Sequence, residues 1–210
     1  GSMAFETGPT GNKFAAADTN RSAIVAVRVF TQLLGKRDKI QVLPLNAKKP
    51  LFSRPLTRTA IEKQLLLDKH LGPSSPISHY AGPETPCSKA LTALHKLLSK
   101  EVKDDVHPVV LFMTDGECTP QNAPNVKSPE AWLRGAKWSE RLSFHLVTFE
   151  ARVSANNPLA PYTRLGVGGE SVRISGSSDL LPAFAQVITR ARGGIHLYPH
   201  PVKNKGVRLG

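Results

Sequence analysis

The chain has 210 residues, and its 28 Lys and Arg against 16 Asp and Glu give a formal net charge of +12. This length allows one sizeable domain with a buried core and is short for two. With 40% hydrophobic and 21% charged residues the composition is that of an ordinary globular protein, and it contains no apolar run long enough to predict a membrane span.

The first half of the chain predicts three helices and one strand. A helix ends before Gly35, and Asp18 and Thr19 are its candidate caps. Its apolar positions recur at helical spacing: Ala23, Val27, Phe30 and Leu34. Residues 39–45 predict a strand that Pro44 bends or ends early. Helices are predicted over 56–71 and 88–98, with an irregular loop between them.

The second half alternates strands with helices. Strands are predicted over 109–114, 143–150 and 170–175. A helix is predicted over 130–142, and a last helix follows Ser178 with Leu180, Phe184, Val187 and Ile188 on one face. The alternation predicts an α/β fold: a doubly wound, mostly parallel sheet with helices on both faces.

The positive charge concentrates between Lys36 and Lys69 and in the segment after Asp179. Such an excess favours acidic proteins or anionic surfaces as partners. Few aromatic residues are interleaved with the basic ones, so we predict no specific nucleic-acid binding. Binding of an anionic surface through these basic regions is one functional hypothesis, and a solvated basic surface is the alternative.

Two polar residues stand where parallel strands place ligand sites, outside the carboxyl ends of the strands. Asp115 directly follows the strand 109–114, and Thr85 precedes the helix 88–98. Each has a structural alternative. Thr85 followed by Pro86 is typical of a helix N-cap with proline in the first turn, and Asp115 with Gly116 is typical of a turn.

Four segments together resemble the von Willebrand factor type A family. They are the strand ending in Thr-Asp-Gly at 114–116, the "GPET" turn at 82–85 before an Ala-Leu helix, "LSFHLVTFE" at 142–150, and "LGVGGESVRISGSSDLLPAFAQVI" at 165–188. The resemblance covers roughly residues 20–190. It implies a Rossmann-like domain over 1–192, and residues 193–210 are expected to form a basic tail or linker.

The resemblance implies a protein-binding module rather than an enzyme. In this family a metal-ion-dependent adhesion site holds Mg²⁺, with Mn²⁺ or Ca²⁺ as substitutes, and an acidic side chain of the partner completes its oxygen shell. Ser2, Thr85 and Asp115 are the implied metal ligands. The alternative is a metal-assisted hydrolase or phosphoryl-transfer enzyme that uses Asp115, although the sequence offers no convincing base or nucleophile.

The chain departs from the family at its N-terminus, where no Asp-x-Ser-x-Ser follows a first strand. Gly1-Ser2-Met3 is either the end of the family's Ser-Gly-Ser-Met or a cloning remnant, in which case Glu6, Gly8 and Thr10 form a degenerate substitute. We expect the first strand to be missing or very short. Residues 1–8 would then fill, or leave as a gap, the slot between strands 39–45 and 109–114. A 109–114 strand at the sheet edge, or antiparallel to 143–150, would show that the family assignment is wrong.

The cysteines are few, and the histidines are scattered. Cys87 and Cys118 are too few for a disulfide scaffold, so a reducing, cytoplasmic setting is the default. The resemblance brings them near one rim, where we expect unpaired, half-buried thiols; without a Cys-x-x-Cys or paired histidines the zinc signature is poor. The histidines lack metal-binding spacing, and each is expected to be hydrogen-bonded or exposed.

Overall fold

The computed structural model describes residues 30–45, 49–63, 86–114, 118, 128–149, 157–174 and 179–191. The strands are β1 Lys39–Ile40, β2 Leu56–Thr57, β3 Val109–Thr114, β4 Ser143–Phe149 and β5 Ser171–Ile174. The α-helices are α1 Arg58–Lys63, α2 Cys87–Glu101, α3 Pro129–Leu133 and α4 Leu180–Ala191, and Ser139–Arg141 and Ala160–Arg164 are 3₁₀ helices.

The main sheet consists of β3, β4 and β5, with β4 in the middle. β3 is parallel to β4, in a register that pairs Val109 with Ser143 and Thr114 with Thr148. β5 is also parallel to β4 and pairs Leu146 with Ser171. Because every parallel pair needs a crossover connection, helices lie between these strands in the sequence. The predicted α/β class and parallel sheet are confirmed.

Helices cover both faces of this sheet, as expected for a doubly wound fold. Successive residues of β4 point to opposite faces, and the two faces belong to different cores. Phe144 and Leu146 lie in the larger core, which includes Leu91 of α2. Val147 lies in the smaller core with Phe184 of α4. The strand is therefore buried on both sides, which explains why its sequence is an almost continuous apolar run.

An aromatic cluster fixes the helix connections of the larger core. The Trp132 ring of α3 makes edge contacts with Trp138 and Tyr162, with ring centroids 5.5 Å apart in each pair. Its indole Nε1 donates a 2.8 Å hydrogen bond to the carbonyl oxygen of Leu91 in α2. A buried indole needs such an acceptor. Trp132 thus ties α3 to α2 and to the 3₁₀ helix 160–164.

The predicted strand 39–45 is mostly wrong. Only Lys39–Ile40 is a strand, and it pairs antiparallel with β2 in a separate two-stranded sheet. After Ile40 the side chain of Gln41, rather than the backbone, forms the hydrogen bonds. Its amide nitrogen donates to the Phe52 carbonyl at 2.8 Å, and its oxygen accepts from the Phe52 N–H at 3.3 Å. Pro44 has no N–H with which to continue a strand ladder.

Two predicted helices have bounds that differ from those expected. Leu56 and Thr57 of the predicted helix 56–71 form β2, and the helix begins at Arg58. The predicted helix 130–142 ends at Leu133, because Gly135 adopts a positive φ of 76°, a conformation that ends helices. The chain returns to a helical turn only at Ser139–Arg141. The first predicted helix is described from residue 30 and ends at 32.

Among the described strands, β3 lies at the edge of the main sheet. Its parallel pairing with β4 agrees with the family. β1 pairs with β2 in a separate two-stranded sheet, so the described strands do not show strand 39–45 on the far side of the predicted slot. β3 would lie at the edge if the family's first strand were missing, and it could also do so in an unrelated fold. Its edge position therefore does not distinguish these two explanations. Residues 1–8, the predicted occupants of the slot, are outside the described ranges, as are residues 192–210. The slot and the 1–192 and 193–210 domain division therefore stay predictions.

Candidate functional site

β3 and β4 end together at the carboxyl edge of the sheet. Their last paired residues, Thr114 and Thr148, are each 1% exposed. Asp115, the predicted site residue, directly follows Thr114 in the chain and lies outside the described residues. The part of the edge that the structure describes is thus built from two buried threonines on adjacent parallel strands.

The Thr148 hydroxyl is a polar group without a visible function in the core. Its Oγ1 is buried and has no hydrogen-bond partner among the described residues. An unsatisfied buried hydroxyl destabilises a fold by about 1–3 kcal/mol relative to a satisfied one. It therefore marks this edge as a place where a further polar contact is expected.

A disulfide joins Cys87 and Cys118 beside the same edge, with their Cα atoms 5.4 Å apart. The prediction of unpaired, half-buried thiols is therefore wrong, although the predicted proximity of the two residues is correct. Both residues are buried within the larger core. Their spacing in the sequence carries no disulfide signature, so only the fold brings the sulfur atoms together.

The disulfide changes two earlier expectations. Disulfides are typical of oxidising compartments, which argues against the cytoplasmic default. A disulfide sulfur is also not a thiolate, and only the thiolate ligates metals. Zinc binding by Cys87 and Cys118 is thus ruled out in this state.

The start of α2 differs from the capped helix that Thr85-Pro86 predicts. The first helical residue is Cys87, and Pro86 is the N-cap, with no side-chain hydrogen bond to the helix. Proline has no side-chain acceptor for the free N–H groups of a first turn. The described helix thus begins one residue later than a Thr85 cap with Pro86 in the first turn predicts, and Thr85 itself lies outside the described residues.

The implied metal ligands Ser2, Thr85 and Asp115 all lie outside the described residues. Within the described ranges, no group of three or more His, Cys, Asp or Glu residues is placed to hold a metal ion. The side-chain donors described at the carboxyl edge are the hydroxyls of Thr114 and Thr148. Hydroxyl oxygens are acceptable ligands for a hard cation such as Mg²⁺, but Thr114 and Thr148 are not among the implied ligands.

A buried hydrogen-bond network occupies the opposite, amino-terminal end of β4. His145 is fully buried, and its Nδ1 accepts a 3.2 Å hydrogen bond from the backbone N–H of Glu170. Its Nε2 lies 2.7 Å from Ser143 Oγ, which donates in turn to the Gly168 carbonyl at 2.7 Å. His145 is thus hydrogen-bonded, as expected for the histidines, but the sequence did not reveal the network.

Glu170 links this network to helix α4. Its carboxylate accepts a 2.7 Å hydrogen bond from Arg190 Nη1 and a 2.8 Å hydrogen bond from Gln186 Nε2. Arg190 belongs to the basic segment after Asp179, and it forms an ion pair within the domain. The turn 165–170 is therefore fastened on one side to β4 and on the other to α4.

Steric constraints explain why residues 168 and 169 are both glycine. A Cβ atom on Gly169 would overlap the backbone carbonyl of Phe144, and Gly168 adopts a positive φ of 85°. The turn can therefore lie directly against β4 only where it has no side chain. The Gly-Gly motif that contributes to the family resemblance is explained by this close approach.

Solved structures share this fold. A von Willebrand factor type A protein from Catenulispora acidiphila has a TM-score of 0.60 and 12% identity, over 82% of this chain and 38% of that one. Proximal thread matrix protein 1 from the mussel byssus has a TM-score of 0.56 and 13% identity, over 81% of this chain and 43% of its own. The fold is similar to that of a von Willebrand factor type A domain. The chain spans less than half the length of either structure.

Sequence comparison adds nothing to this likeness, since no family model and no curated protein matches the chain. At 12–13% identity the structural likeness concerns the fold alone. No helix in the described part of the chain is long and apolar enough to cross a membrane.

Proposed function

We propose that this chain is a protein-binding module of the von Willebrand factor A type, which recognises its partner at the carboxyl edge of the sheet. The observation that carries the proposal is the Cys87–Cys118 disulfide at this edge. Thr85 precedes Cys87 by two residues, and Asp115 precedes Cys118 by three. The disulfide therefore links the two segments that contain these candidate ligands, although they are 30 positions apart in the chain.

Ser2, Thr85 and Asp115 would hold Mg²⁺, or Mn²⁺ or Ca²⁺ in its place, and the cation would supply an electrophilic position for an acidic side chain of the partner. Asp115 would contribute negative charge, while the two hydroxyl residues would contribute neutral oxygens. Because one carboxylate does not neutralise the charge of a divalent cation, the bound cation would still attract the acidic side chain of the partner. An enzymatic role is not part of this proposal.

Calorimetric titration with Mg²⁺ tests the metal role. We expect saturable binding by the wild type and its loss in Thr85→Ala and in Asp115→Asn. The matched controls are Thr92→Ala and Asp105→Asn, which alter exposed residues in α2 and in the loop that follows it, and both should bind as the wild type does. Absence of Mg²⁺ binding, with Thr85→Ala indistinguishable from wild type, would remove the metal role.

A second candidate function is binding of an anionic surface, and helix α2 favours it. Lys89, Lys96 and Lys100 are exposed, and spacings of seven and four residues place all three on one side of the helix. Lys100 also contacts Glu101 at 3.1 Å. Helix α2 is therefore a candidate site for anionic-surface binding in addition to the basic regions from Lys36 to Lys69 and after Asp179.

Heparin affinity at increasing salt separates this candidate from the first. Counterion release predicts retention that falls steeply with salt, and the combined Lys89→Gln, Lys96→Gln and Lys100→Gln variant should elute earlier than wild type. A control variant of equal charge changes three exposed lysines elsewhere: Lys36→Gln, Lys39→Gln and Lys49→Gln. Because Lys36, Lys39 and Lys49 belong to the basic region from Lys36 to Lys69, equal elution of the two variants would mean that the α2 surface contributes no more to retention than that region does.

A further inference from the structure

The protonation state of His145 is fixed by its neighbours. The backbone N–H of Glu170 can only donate, so the ring nitrogen that faces it, Nδ1, must be an unprotonated acceptor. The proton of the neutral ring is then on Nε2, which donates to Ser143 Oγ. The Ser143 hydroxyl keeps one proton for the Gly168 carbonyl. All four groups are satisfied in a single arrangement.

Protonation of the ring is incompatible with this arrangement. The second proton of an imidazolium would be on Nδ1 and would face the N–H of Glu170, so that two donors meet and the hydrogen bond is lost. The ring is fully buried and cannot turn to water without moving its surroundings. The turn 165–170 also has backbone hydrogen bonds on this side of the sheet, from the Leu146 N–H to the Glu170 carbonyl at 2.8 Å and from the Val167 N–H to the Leu142 carbonyl at 2.9 Å. Loss of the His145 contact therefore removes one of several hydrogen bonds that hold the turn, and weakens its attachment to β4.

The charged groups that act on the ring have opposing effects. Burial is the main cause that lowers the pKa of His145 below its usual 6.5, Arg190 lowers it further, and the Glu170 carboxylate opposes both. Glu170 belongs to the turn and Arg190 to α4, and the two form an ion pair with each other. Loss of the turn contact would therefore also disturb the tie between Glu170 and α4.

We propose that His145 is a pH-sensitive switch, whose neutral ring strengthens the attachment of the turn 165–170, and through Glu170 of helix α4, to β4. A lowered native pKa means that the unfolded or opened chain binds a proton first as the pH falls. The contact is fully present above pH 6.5 and weakens progressively below it. The switch lies at the end of the sheet opposite to the candidate binding edge.

Amide hydrogen exchange, followed by NMR and corrected for the intrinsic pH dependence, measures the contact directly. Between pH 7.5 and 5.0 the protection of the Glu170 amide should fall at least tenfold more than that of the Leu98 amide in α2. His145→Asn retains an acceptor near the position of Nδ1 and does not titrate, so it should abolish this difference. The exposed His107→Asn is the matched control and should leave it unchanged.

A second measurement does not depend on any variant. The ring ¹⁵N shifts of His145 in the wild type should show the Nε2–H tautomer at pH 7.5 and a protonation that coincides with the loss of Glu170 protection. Equal protection of the Glu170 amide at both pH values would overturn the proposal. So would an Nδ1–H tautomer, or a drop in protection that persists in folded His145→Asn.

Discussion

Cys87 and Cys118 connect, through a buried disulfide, the first residue of α2 with the segment that follows β3. The two residues are separated by 31 positions, and a cross-link over such a loop restricts the unfolded chain. The chain-entropy relation gives a stabilisation of about 3–4 kcal/mol for a loop of this size. This bond is therefore expected to be a major part of the stability of a domain of this length.

We expect the Cys87→Ser, Cys118→Ser double variant to lose about 2–4 kcal/mol of unfolding free energy in urea. The wild type should lose a similar amount in the presence of a reductant, whereas the double variant should not respond to it. A thiol assay in denaturant provides the independent check, since the oxidised wild type should contain no free thiol. Two reactive thiols in protein purified under oxidising conditions would contradict the disulfide.

The elements that the sequence predicts well are those whose residues are buried on both sides or carry a regular stripe. The β3 bounds are as predicted, β4 begins at the predicted residue 143, and β5 begins one residue later than predicted. Apolar runs bounded by turns allow few other structures. Helix α2 was underestimated by only a few residues. Leu91 and Leu98 on its apolar face are buried.

The features that the sequence did not reveal depend on contacts between distant residues. Gln41 replaces a strand partner by binding the backbone of Phe52, and nothing in residues 39–45 indicates this. The sequence does not indicate a partner for His145, because its hydrogen bond comes from the backbone N–H of Glu170, 25 residues away. The disulfide likewise requires that β3 and α2 already lie side by side, so neither cysteine could be paired from spacing alone.

Gly169 should tolerate no side chain. In Gly169→Ala the new Cβ would meet the Phe144 backbone carbonyl, and a backbone group in a central strand cannot move aside cheaply. Overpacking of this kind typically costs about 1–3 kcal/mol. Gly135→Ala is the control, because Gly135 has a positive φ but open space around its Cβ position, and strain alone should cost about 1 kcal/mol. A smaller loss in Gly169→Ala than in Gly135→Ala, measured by urea unfolding, would contradict the steric argument.

Tyr162 should limit stability at alkaline pH. Burial, and to a smaller extent the Glu130 carboxylate, raises its pKa to about 12, whereas an unfolded tyrosine ionises near 10. Above pH 10 the unfolded chain loses this proton before the folded one, so the unfolding free energy should fall as the pH rises from 10 towards 12. Urea midpoints across this range, with tyrosinate absorbance as the readout of ionisation, measure the effect. If Tyr162→Phe keeps the wild-type slope, another group is responsible.

Thr148 gives a prediction of the opposite sign, because its side chain is expected to cost stability in the free protein. Valine has almost the same shape and lacks the hydroxyl, whose Oγ1 is buried without a hydrogen-bond partner among the described residues. Thr148→Val should therefore leave the unfolding free energy unchanged or raise it by about 1 kcal/mol.

Thr163→Val is the matched control. Its hydroxyl donates to the Ala160 carbonyl at 2.8 Å, so its loss should cost about 1 kcal/mol. A loss in Thr148→Val as large as that in Thr163→Val would instead show that the hydroxyl is bound in the folded protein, at the edge where Asp115 follows β3.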